Sequence, residues 1–586
     1  MKKRTMIIPM LSLGVLFPSA ANVFAEPKKP VSVDRVEFVG MDVPSSAEEK
    51  SKMYSGASAV VSYSNGSQKT IPLEFKSLFK PGDKYKSGIA GAAYDANGEL
   101  ITNADGKPYI STSPDSNTLM NVNGKLYMVN HYEGMPSNEI GNMPKQIMLN
   151  KVEQNPKTGE LTITDTMPID FSADGGIWTP CAGSLTPWNT HLGSEEYEPD
   201  ARAFEADPKN SSVTQFARNY YQDPTILGNP YLYGHVPEVT VSSDGTAKAV
   251  KHYSMGRLSI ENAKVAPDNR TVYFGDDGGY TMAFMYVADK QKDLTSGTLY
   301  AAKWVQTGTE NGGSANLEWI KLGHANDQEI KELALKLKFS DIFEATNDAA
   351  YAKANDFTRV KAGGRDEWLK LKPGMEKAAA FLESRRYGAL LGATSEFNKM
   401  ETMEINKADN KVYMTMSTIA GGMEANPSDP VDDIHLPKIS AGGIYEMSLS
   451  KGVKDQSGHP IRSRYVATNM NGLITGEDLA SKDAAGNTAN PDKISNPDNI
   501  VYSEKMRTLF IAEDGGKHVN NYGWAYNIDT KKLSRIVSAA APGEVTGIQM
   551  VEDLNGFSYL MVGSQNPGNA GYLSGLPFVG DNHKNK

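Results

Sequence analysis

The chain has 586 residues, a formal net charge of −10 and one cysteine, Cys181. A single cysteine excludes intramolecular disulfide bonds, and the lack of a clustered basic segment argues against a nucleic-acid partner. Glycine (54 residues) and tyrosine (27 residues) are abundant, whereas long helical patterns are few. This composition predicts an all-β protein built from many short strands.

The N-terminus has the pattern of a secretory signal peptide. A basic start at residues 2–4 precedes an apolar run at residues 6–17, and Ala25 ends the segment after small and apolar residues. We therefore expect a signal peptide over residues 1–25, a single domain over residues 26–586, and a periplasmic or extracellular protein. The apolar run is too short to span a bilayer and no later run of about 20 apolar residues follows, so we expect no membrane insertion.

One hairpin pattern recurs along the chain. An acidic residue stands eleven positions before a triplet made of Val or Leu, an aromatic residue and an apolar residue. Four copies carry the acidic residues Asp115, Glu261, Glu401 and Asp498, and a looser fifth copy begins at Glu544. The alternative is coincidence, since acidic residues are common.

Regularly spaced hairpins with a shared template are typical of a β-propeller. Residues at the same phase of each innermost strand would then point to the same depth of a central channel. Carboxylates gathered in this way cannot all stay ionised without partners, so bound cations are the natural consequence. Residues 326–394 interrupt the β pattern with helical spacing, and we interpret them as a helical insertion that covers one mouth of the channel.

The segment from Cys181 to Asp200 concentrates possible metal ligands. The thiol is followed within twenty residues by His191 and by the carboxylates of Glu195, Glu196 and Glu198. Soft and hard ligands separated by small residues suit a loop around cations. The alternative is a buried, inert cysteine followed by a solvated acidic turn.

The stretches 181–190, 192–196 and 274–277 resemble the PhoX-type alkaline phosphatases, and the likeness extends over about residues 110–565. The resemblance implies a six-bladed β-propeller whose channel mouth holds iron and calcium and hydrolyses phosphate monoesters. By position in the family pattern, Cys181 would ligate iron, and Glu196, Glu261 and Glu401 would be carboxylate ligands. Asp498 and Glu544 resemble calcium ligands, and the repeat alone adds Asp115 to this set.

The chain also departs from the family pattern. Lys399 stands where the family carries arginine, and a lysine is a point charge that cannot grip phosphate with a two-pronged contact. Ile260 replaces a polar residue before Glu261. The twin-arginine export pattern is also missing, and export of an unfolded chain would mean that the metal is loaded outside the cytoplasm, which favours calcium over iron.

The catalytic residues that we predict are Cys181, Glu196, Lys399 and Glu401. In the predicted mechanism a metal-bound oxygen attacks the phosphorus of a small phosphorylated substrate, while Lys399, with Arg257 or His131, contacts phosphate oxygens. We expect a monomer. Two alternatives stay open, namely a non-catalytic propeller stabilised by calcium that binds a partner, and a calcium-dependent hydrolase of another ester.

Three pairs of charged residues have two interpretations each. The pairs 276–277 and 513–514 end equivalent hairpins, so their carboxylates could stand close to the metals or simply form turns. The pair Arg385–Arg386 in the predicted insertion fits a solvated face or an ion pair better than a phosphate site.

Overall fold

The computed structural model describes residues 32–134 and 142–577, and this part of the chain is mostly β-strand. The predicted signal peptide lies outside the described residues. The strands, in chain order, are β1 (Val33–Val39), β2 (Ser58–Tyr63), β3 (Gln68–Pro72), β4 (Glu74–Phe79), β5 (Pro114–Val122), β6 (Lys125–Tyr132), β7 (Gln146–Gln154), β8 (Leu161–Pro168), β9 (Ser184–Leu185), β10 (His191–Leu192), β11 (Val236–Val241), β12 (Ala247–His252), β13 (Ile260–Val265), β14 (Thr271–Thr281), β15 (Phe284–Lys290), β16 (Asp293–Gly308), β17 (Ser314–Asn326), β18 (Phe343–Thr346), β19 (Thr358–Ala362), β20 (Arg365–Leu371), β21 (Phe397–Asn406), β22 (Lys411–Met416), β23 (Gly443–Ser450), β24 (Val466–Ala467), β25 (Asn469–Thr475), β26 (Pro497–Ser503), β27 (Thr508–Glu513), β28 (Tyr522–Asn527), β29 (Leu533–Ser538), β30 (Val545–Leu554), β31 (Phe557–Ser564) and β32 (Asn569–Ser574).

The helices are short and most of them lie in two regions of the chain. They are α1 (Ala47–Lys50), α2 (Ala201–Ala206), α3 (Ser212–Tyr221), α4 (Asp327–Ala334), α5 (Phe339–Ile342), α6 (Ala349–Ala354), α7 (Glu376–Leu382) and α8 (Ser384–Leu390). No helix among the described residues combines the length and the apolar character that a membrane-spanning segment needs.

Antiparallel hairpins build most of the sheets. Four-stranded sheets run in the orders β5-β6-β7-β8, β9-β10-β11-β12, β26-β27-β28-β29 and β30-β31-β32-β4. The last of these takes its outer strand from near the start of the described chain, so the N-terminal and C-terminal parts are hydrogen-bonded in one sheet. A larger sheet carries β13 at its edge and contains a closed circuit of eight paired strands, β14-β15-β16-β17-β25-β23-β22-β21, because β21 also pairs with β14.

Six strands, each the first of its hairpin series, contact one another in a cycle. The order of contact is β5, β9, β13, β21, β26, β30 and back to β5. Four of these strands, β5, β13, β21 and β26, are buried over most of their length, and apolar side chains of neighbouring sheets pack between the strands in several clusters. The six strands therefore surround a shared centre.

The predicted hairpin repeat is confirmed at four places. The pairs β5–β6, β13–β14, β21–β22 and β26–β27 are antiparallel hairpins. In the first of them Asn123 and Gly124 both have positive φ, 53° and 86°, which is the backbone that a tight two-residue hairpin turn requires.

The segment predicted as a helical insertion holds both helices and strands. Between β17 and β21 the chain forms α4 to α8, but it also forms a three-stranded sheet in the order β18-β20-β19. The sequence pattern did not predict these strands, because β19 and β20 are only five and seven residues long and lie between segments with helical spacing. The helices α2 and α3, which follow the Cys181–Asp200 segment, were not expected from the sequence.

Candidate active site

The four repeated acidic residues occupy one structural position, the first residue of a β-bulge. In each hairpin two residues of the inner strand oppose one residue of its partner. The first bulged residues are Asp115, Glu261, Glu401 and Asp498. A bulge redirects side chains out of the regular alternation of a strand, and here it lets the carboxylates of four different sheets converge.

Glu544 reaches the same place by a different route. The bulge of the fifth hairpin falls at Gly547 and Ile548, so the residue equivalent to Asp115 is Gly547. A side chain at Gly547, whose φ is +63°, would collide with Asn117 and with the backbone of Asp115. Glu544 instead lies in the loop before β30, and the predicted fifth copy is wrong in register although its carboxylate belongs to the site.

A second tier of polar side chains comes from the partner strands of the same hairpins. These residues are Glu133, Asp277, Asp514 and Gln565. The first three stand directly after the residue that pairs with the position before the bulge, and Gln565 stands two residues after it. From the sequence, Asp277 and Asp514 had two interpretations, as residues close to the metals or as turn residues, and no sequence pattern pointed to Glu133 or Gln565. A spacing of sixteen residues after Glu261 and after Asp498 was the signal that could have found the two aspartates.

The pairs 276–277 and 513–514 divide their roles in the same way. The first residue of each pair is fully buried and structural: Asp276 binds Arg385, and Glu513 accepts hydrogen bonds from the indole of Trp524 and from backbone amides. The second residue, Asp277 or Asp514, lines the cavity.

Cys181 is buried at the centre of the carboxylates. Its Sγ lies 3.2 Å from Glu261 Oε1 and 3.5 Å from Asp115 Oδ2, and its amide donates to Ser194 Oγ at 3.0 Å. Burial, together with the negative charges of Asp115 and Glu196, raises the pKa of the thiol well above its ordinary value. The thiolate is the form that binds a metal, so this surrounding keeps the sulfur protonated unless a cation offsets the charge.

Neighbouring glutamates of the Cys181–Asp200 segment have opposite roles. Glu195 is a structural anchor: its carboxylate binds Lys251 Nζ at 2.8 Å and accepts from the amides of Trp178, Gly234 and His235 at 2.8 to 3.1 Å. Glu196 faces the other way and lines the cavity. The anchor holds the loop so that the next side chain points at Cys181.

The other candidate ligands of this segment lie elsewhere. Glu198 pairs with Arg385 at 2.8 Å, and Asp200 caps α2 and pairs with Arg386 at 3.0 Å. His191 is buried behind the thiol, with its Nε2 2.8 Å from His131 Nε2.

Three of the bulge carboxylates, the second tier and Cys181 line one polar cavity, which we call the acidic cavity, with a volume of about 260 Å³. Its lining residues are Ser113, Glu133, Gly134, Cys181, Glu196, Tyr197, Glu261, Asp277, Lys399, Glu401, Asp498, Asp514, Glu544, Gln565 and Asn566. Asp115 contacts the cavity residues Cys181 and Gln565 from behind. All the carboxylates predicted as ligands are therefore within this one cluster.

Burial and mutual repulsion raise the pKa values of most of these carboxyl groups. The pKa of Asp115 rises to about 6, that of Glu133 to about 7 and that of Glu261 to about 8, with burial as the largest cause in each. The pKa values of Glu196, Glu401, Asp498 and Glu544 lie well above their ordinary value for the same reason. The protein alone therefore does not offset the charge of these groups.

Lys399 is the basic side chain among the described residues that line the acidic cavity. Its Nζ lies 2.9 Å from Asp277 Oδ1 and 3.2 Å from Glu401 Oε1. Although burial opposes it, the charges of Glu401 and Asp277 raise the pKa of the lysine above its ordinary value. Lys399 stays positive at alkaline pH and lowers the pKa of Asp277 against the effect of burial.

The donor set fits cations. Within 4.8 Å of one another lie ligand atoms of Asp115, Glu133 and Cys181, and three further overlapping groups link Cys181 through the carboxylates to Asp498. The Asp115 Oδ1 atom is buried and has no hydrogen-bond partner, which costs free energy unless another ligand takes that place. Carboxylates suit hard cations such as calcium, and a thiolate beside them suits a softer transition metal.

Four basic or imidazole side chains considered for phosphate contact lie outside the acidic cavity. The Arg257 guanidinium is buried and donates to the carbonyl oxygens of Tyr233 and Pro230. His131 contacts the Cys181 carbonyl from behind. Arg385 and Arg386 are buried in ion pairs, so the expectation of an ion pair is confirmed and that of a solvated face is wrong.

The fold and the site define a mostly β protein with an acidic, thiol-containing cavity where six inner strands meet. The family model described as alkaline phosphatase PhoX matches residues 154–568. The chain therefore belongs to the PhoX family and is an alkaline phosphatase. No curated protein matches the chain.

The chain is similar to several solved structures. The PhoX of Pseudomonas fluorescens, solved in complex with vanadate, a transition state analogue, is 17% identical, with a TM-score of 0.55 over 86% of this chain and 95% of that one. A gluconolactonase from Xanthomonas campestris is 8% identical, with a TM-score of 0.31 over 83% of this chain and 98% of its own. Sqt1 of Saccharomyces cerevisiae is 9% identical, with a TM-score of 0.30 over 80% and 98%. The last two add nothing about function.

Proposed function

We propose that this phosphatase is metal-dependent and hydrolyses small phosphate monoesters in the acidic cavity. The observation that carries the proposal is the convergence of Cys181 and the repeated bulge carboxylates on one cavity that also holds Lys399. The relative from Pseudomonas fluorescens binds vanadate, a transition state analogue, which supports a phosphoryl site in this fold.

The proposed ligands are the thiol and the carboxyl groups that line or contact the acidic cavity. They are Cys181, Glu196, Glu261, Glu401, Asp498, Glu544 and Asp115, with Glu133, Asp277 and Asp514 from the second tier. Calcium is the proposed cation for the carboxylates, and iron is proposed beside the Cys181 thiolate because it tolerates a mixed sulfur and oxygen set. When bound, such cations would offset the negative charge of a phosphate monoester and make an oxygen nucleophile available at ordinary pH.

Lys399 is the group of this chain that would contact the phosphate. Its ammonium is held between Asp277 and Glu401 and remains charged, so it can donate to a phosphate oxygen without a cost for ordering the side chain. A lysine ammonium is a point charge, whereas an arginine guanidinium can donate two parallel hydrogen bonds to a phosphate. We therefore propose that Lys399 orients one phosphate oxygen and that the remaining oxygens depend on the cations.

The protein holds Cys181 and Glu196 in fixed positions for binding a cation. The Glu195 anchor and the Ser194 contact fix the loop between them, so both ligands keep their position when no substrate is present. Glu401 has a double role in the proposal, as a ligand and as the carboxylate that holds Lys399.

We also propose that the sheets form a six-bladed propeller in a single domain, with the segment 326–394 inserted between two blades. The cyclic order of contacts among β5, β9, β13, β21, β26 and β30 supports six blades around one centre. The pattern of a signal peptide in residues 1–25 supports export to the periplasm or the exterior.

The proposal is tested by assaying purified protein with p-nitrophenyl phosphate and with its bis ester, before and after chelation. We expect monoester hydrolysis that chelation abolishes and calcium with iron restores. Glu401→Gln should lose at least about 100-fold in kcat/KM, because it removes a ligand and a partner of Lys399.

Glu404→Gln is the matched control, since Glu404 is equally buried on the same strand but pairs with Lys264 at 2.7 Å. Its activity should change by no more than about twofold. Hydrolysis that survives complete chelation, or equal losses in the two variants, would refute the proposal.

A further inference from the structure

Tyr197 is the aromatic residue among the described residues that line the acidic cavity, and its side chain is not buried. The residue is 38% exposed, in contrast to the buried carboxylates around it. The rest of the lining consists of carboxyl, amide, hydroxyl and ammonium groups, the Cys181 thiol and one glycine. Tyr197 therefore supplies the apolar surface at the edge of an otherwise polar site.

The backbone of Tyr197 is held in an unfavourable conformation. Its φ is +47°, a region that costs free energy for a bulky side chain and that persists where the surroundings enforce it. Three hydrogen bonds do so here. The amide donates to Ser259 Oγ at 2.8 Å, the carbonyl accepts from Trp178 Nε1 at 2.9 Å, and the hydroxyl donates to Asp277 Oδ2 at 2.7 Å.

These contacts fix the ring relative to the phosphate-binding groups. Asp277 accepts from the Tyr197 hydroxyl and also binds Lys399 Nζ. The Asp277 carboxylate therefore connects the Tyr197 hydroxyl to the ammonium that orients the phosphate. These contacts are made by the protein alone, so the position of the ring does not depend on the substrate.

We infer that Tyr197 is a specificity-determining residue that packs against the organic group of the substrate and favours aryl monoesters over small polar alkyl monoesters. The inference rests on the proposed function. A phosphoryl group drawn to Lys399 and the carboxylate cluster leaves the ester group at the exposed edge of the cavity, where the Tyr197 ring lies. Contacts between two aromatic rings stabilise binding by more than the apolar area that they bury. The glycerol group of an alkyl monoester has no ring and cannot make this contact.

The test compares phenyl phosphate with glycerol 2-phosphate in three variants. Tyr197→Leu removes the ring and the hydroxyl, and Tyr197→Phe removes the hydroxyl alone. We expect Tyr197→Leu to lower the ratio of kcat/KM for the aryl ester to that for the alkyl ester by about 3- to 10-fold, mainly through KM for the aryl ester. Tyr197→Phe should keep the wild-type ratio, even if the lost contact to Asp277 lowers kcat for both esters equally.

Tyr221→Leu is the matched control, because Tyr221 is also 38% exposed but ends α3 and does not line the cavity. Its ratio should equal that of the wild type. An unchanged ratio in Tyr197→Leu, or an equal fall in Tyr197→Phe, would overturn the inference while leaving the proposed function intact. A wild-type protein that hydrolyses neither ester would overturn both.

Inhibition of the wild-type protein gives a second measurement that no folding defect can affect. Phenylphosphonate should inhibit at a concentration about 3- to 10-fold lower than methylphosphonate. Equal inhibition constants would contradict a role for the ring in binding the organic group.

Discussion

Arg385 connects the inserted segment to the site, and its removal gives a sharp prediction. Its guanidinium, on α8, donates to Asp276 on β14 and to Glu198 in the Cys181–Asp200 segment. Asp276 is fully buried, and it directly precedes the cavity residue Asp277. Arg385→Met keeps most of the volume of the side chain and removes its charge, so Asp276 is left buried without its partner.

The expected loss of stability follows from the burial of the pair. Removing one partner of a buried ion pair costs about 3–5 kcal/mol. Unfolding entropy is about 2.1 cal/mol/K per residue, and over the roughly 540 described residues the total is about 1.1 kcal/mol/K. The melting temperature should therefore fall by about 3 to 4 °C.

The loss should also depend on pH. Burial raises the pKa of Asp276 to about 6, although Arg385 opposes the shift. Without Arg385 this pKa rises further above the unfolded value of about 3.9. Because a raised carboxyl pKa makes ionisation costly in the folded state, the destabilisation should be small at pH 5 and grow towards pH 8.

Thermal melts of the wild type, Arg385→Met, Asp276→Asn and the double variant measure these effects. The double variant should recover more than half of the loss, since a neutral amide replaces the unpaired carboxylate. A melting temperature unchanged in Arg385→Met, or a loss that shrinks as the pH rises, would refute this reasoning.

Two further predictions concern charged side chains at the site and below the insertion. Lys399→Met should lower kcat/KM for a monoester by about 100-fold, as expected when one donor to developing charge is lost, whereas Lys264→Met on the neighbouring strand β13 should stay within about twofold in the same assay. His252 lies between Glu238 Oε2 at 2.9 Å and Asp327 Oδ2 at 2.8 Å, and although burial lowers its pKa, the two carboxylates raise it to about 10. The charged imidazole therefore stabilises the folded state fully below about pH 6.5, and this stabilisation is lost as the pH rises through about 10. The difference in melting temperature between the wild type and His252→Gln should be largest near pH 6 and should disappear above pH 10. A gap that widens with pH would contradict the charge assignment.

The sequence predicts the innermost carboxylates because the repeat carries both spacing and chemistry. Asp115, Glu261, Glu401 and Asp498 share a hairpin template, and a template fixes the phase of a side chain on its strand. The β-bulge that turns all four inward was not visible, since it is set by the register of two strands rather than by the residues of one.

The remaining residues of the site depend on contacts between distant segments. Glu195 and Glu196 are adjacent and chemically equal, yet Lys251 and three backbone amides take one of them as an anchor. The chemistry of the two residues does not tell which glutamate meets these partners, and Glu196 was chosen as the ligand only by its position in the family pattern. Glu133 was missed because its hairpin is two residues longer than the others, so it stands eighteen positions after Asp115 rather than sixteen.

The insertion shows the same limit. The helical spacing of residues 327–390 indicates α4, α7 and α8, but not the sheet β18-β20-β19 between them. Likewise Arg385 and Arg386 look like a surface pair in sequence, and only the arrangement of Asp276, Glu198 and Glu367 makes their burial favourable.

Elemental analysis of the natively purified protein tests the central claim most directly. The acidic cavity holds more negative charge than the described protein groups offset, and we expect calcium together with a transition metal in stoichiometric amounts. Cys181→Ser should lose the transition metal and keep calcium, and Glu401→Gln should lose both in part. A folded wild-type protein that carries no metal after purification and binds none on addition of calcium and iron would contradict the account.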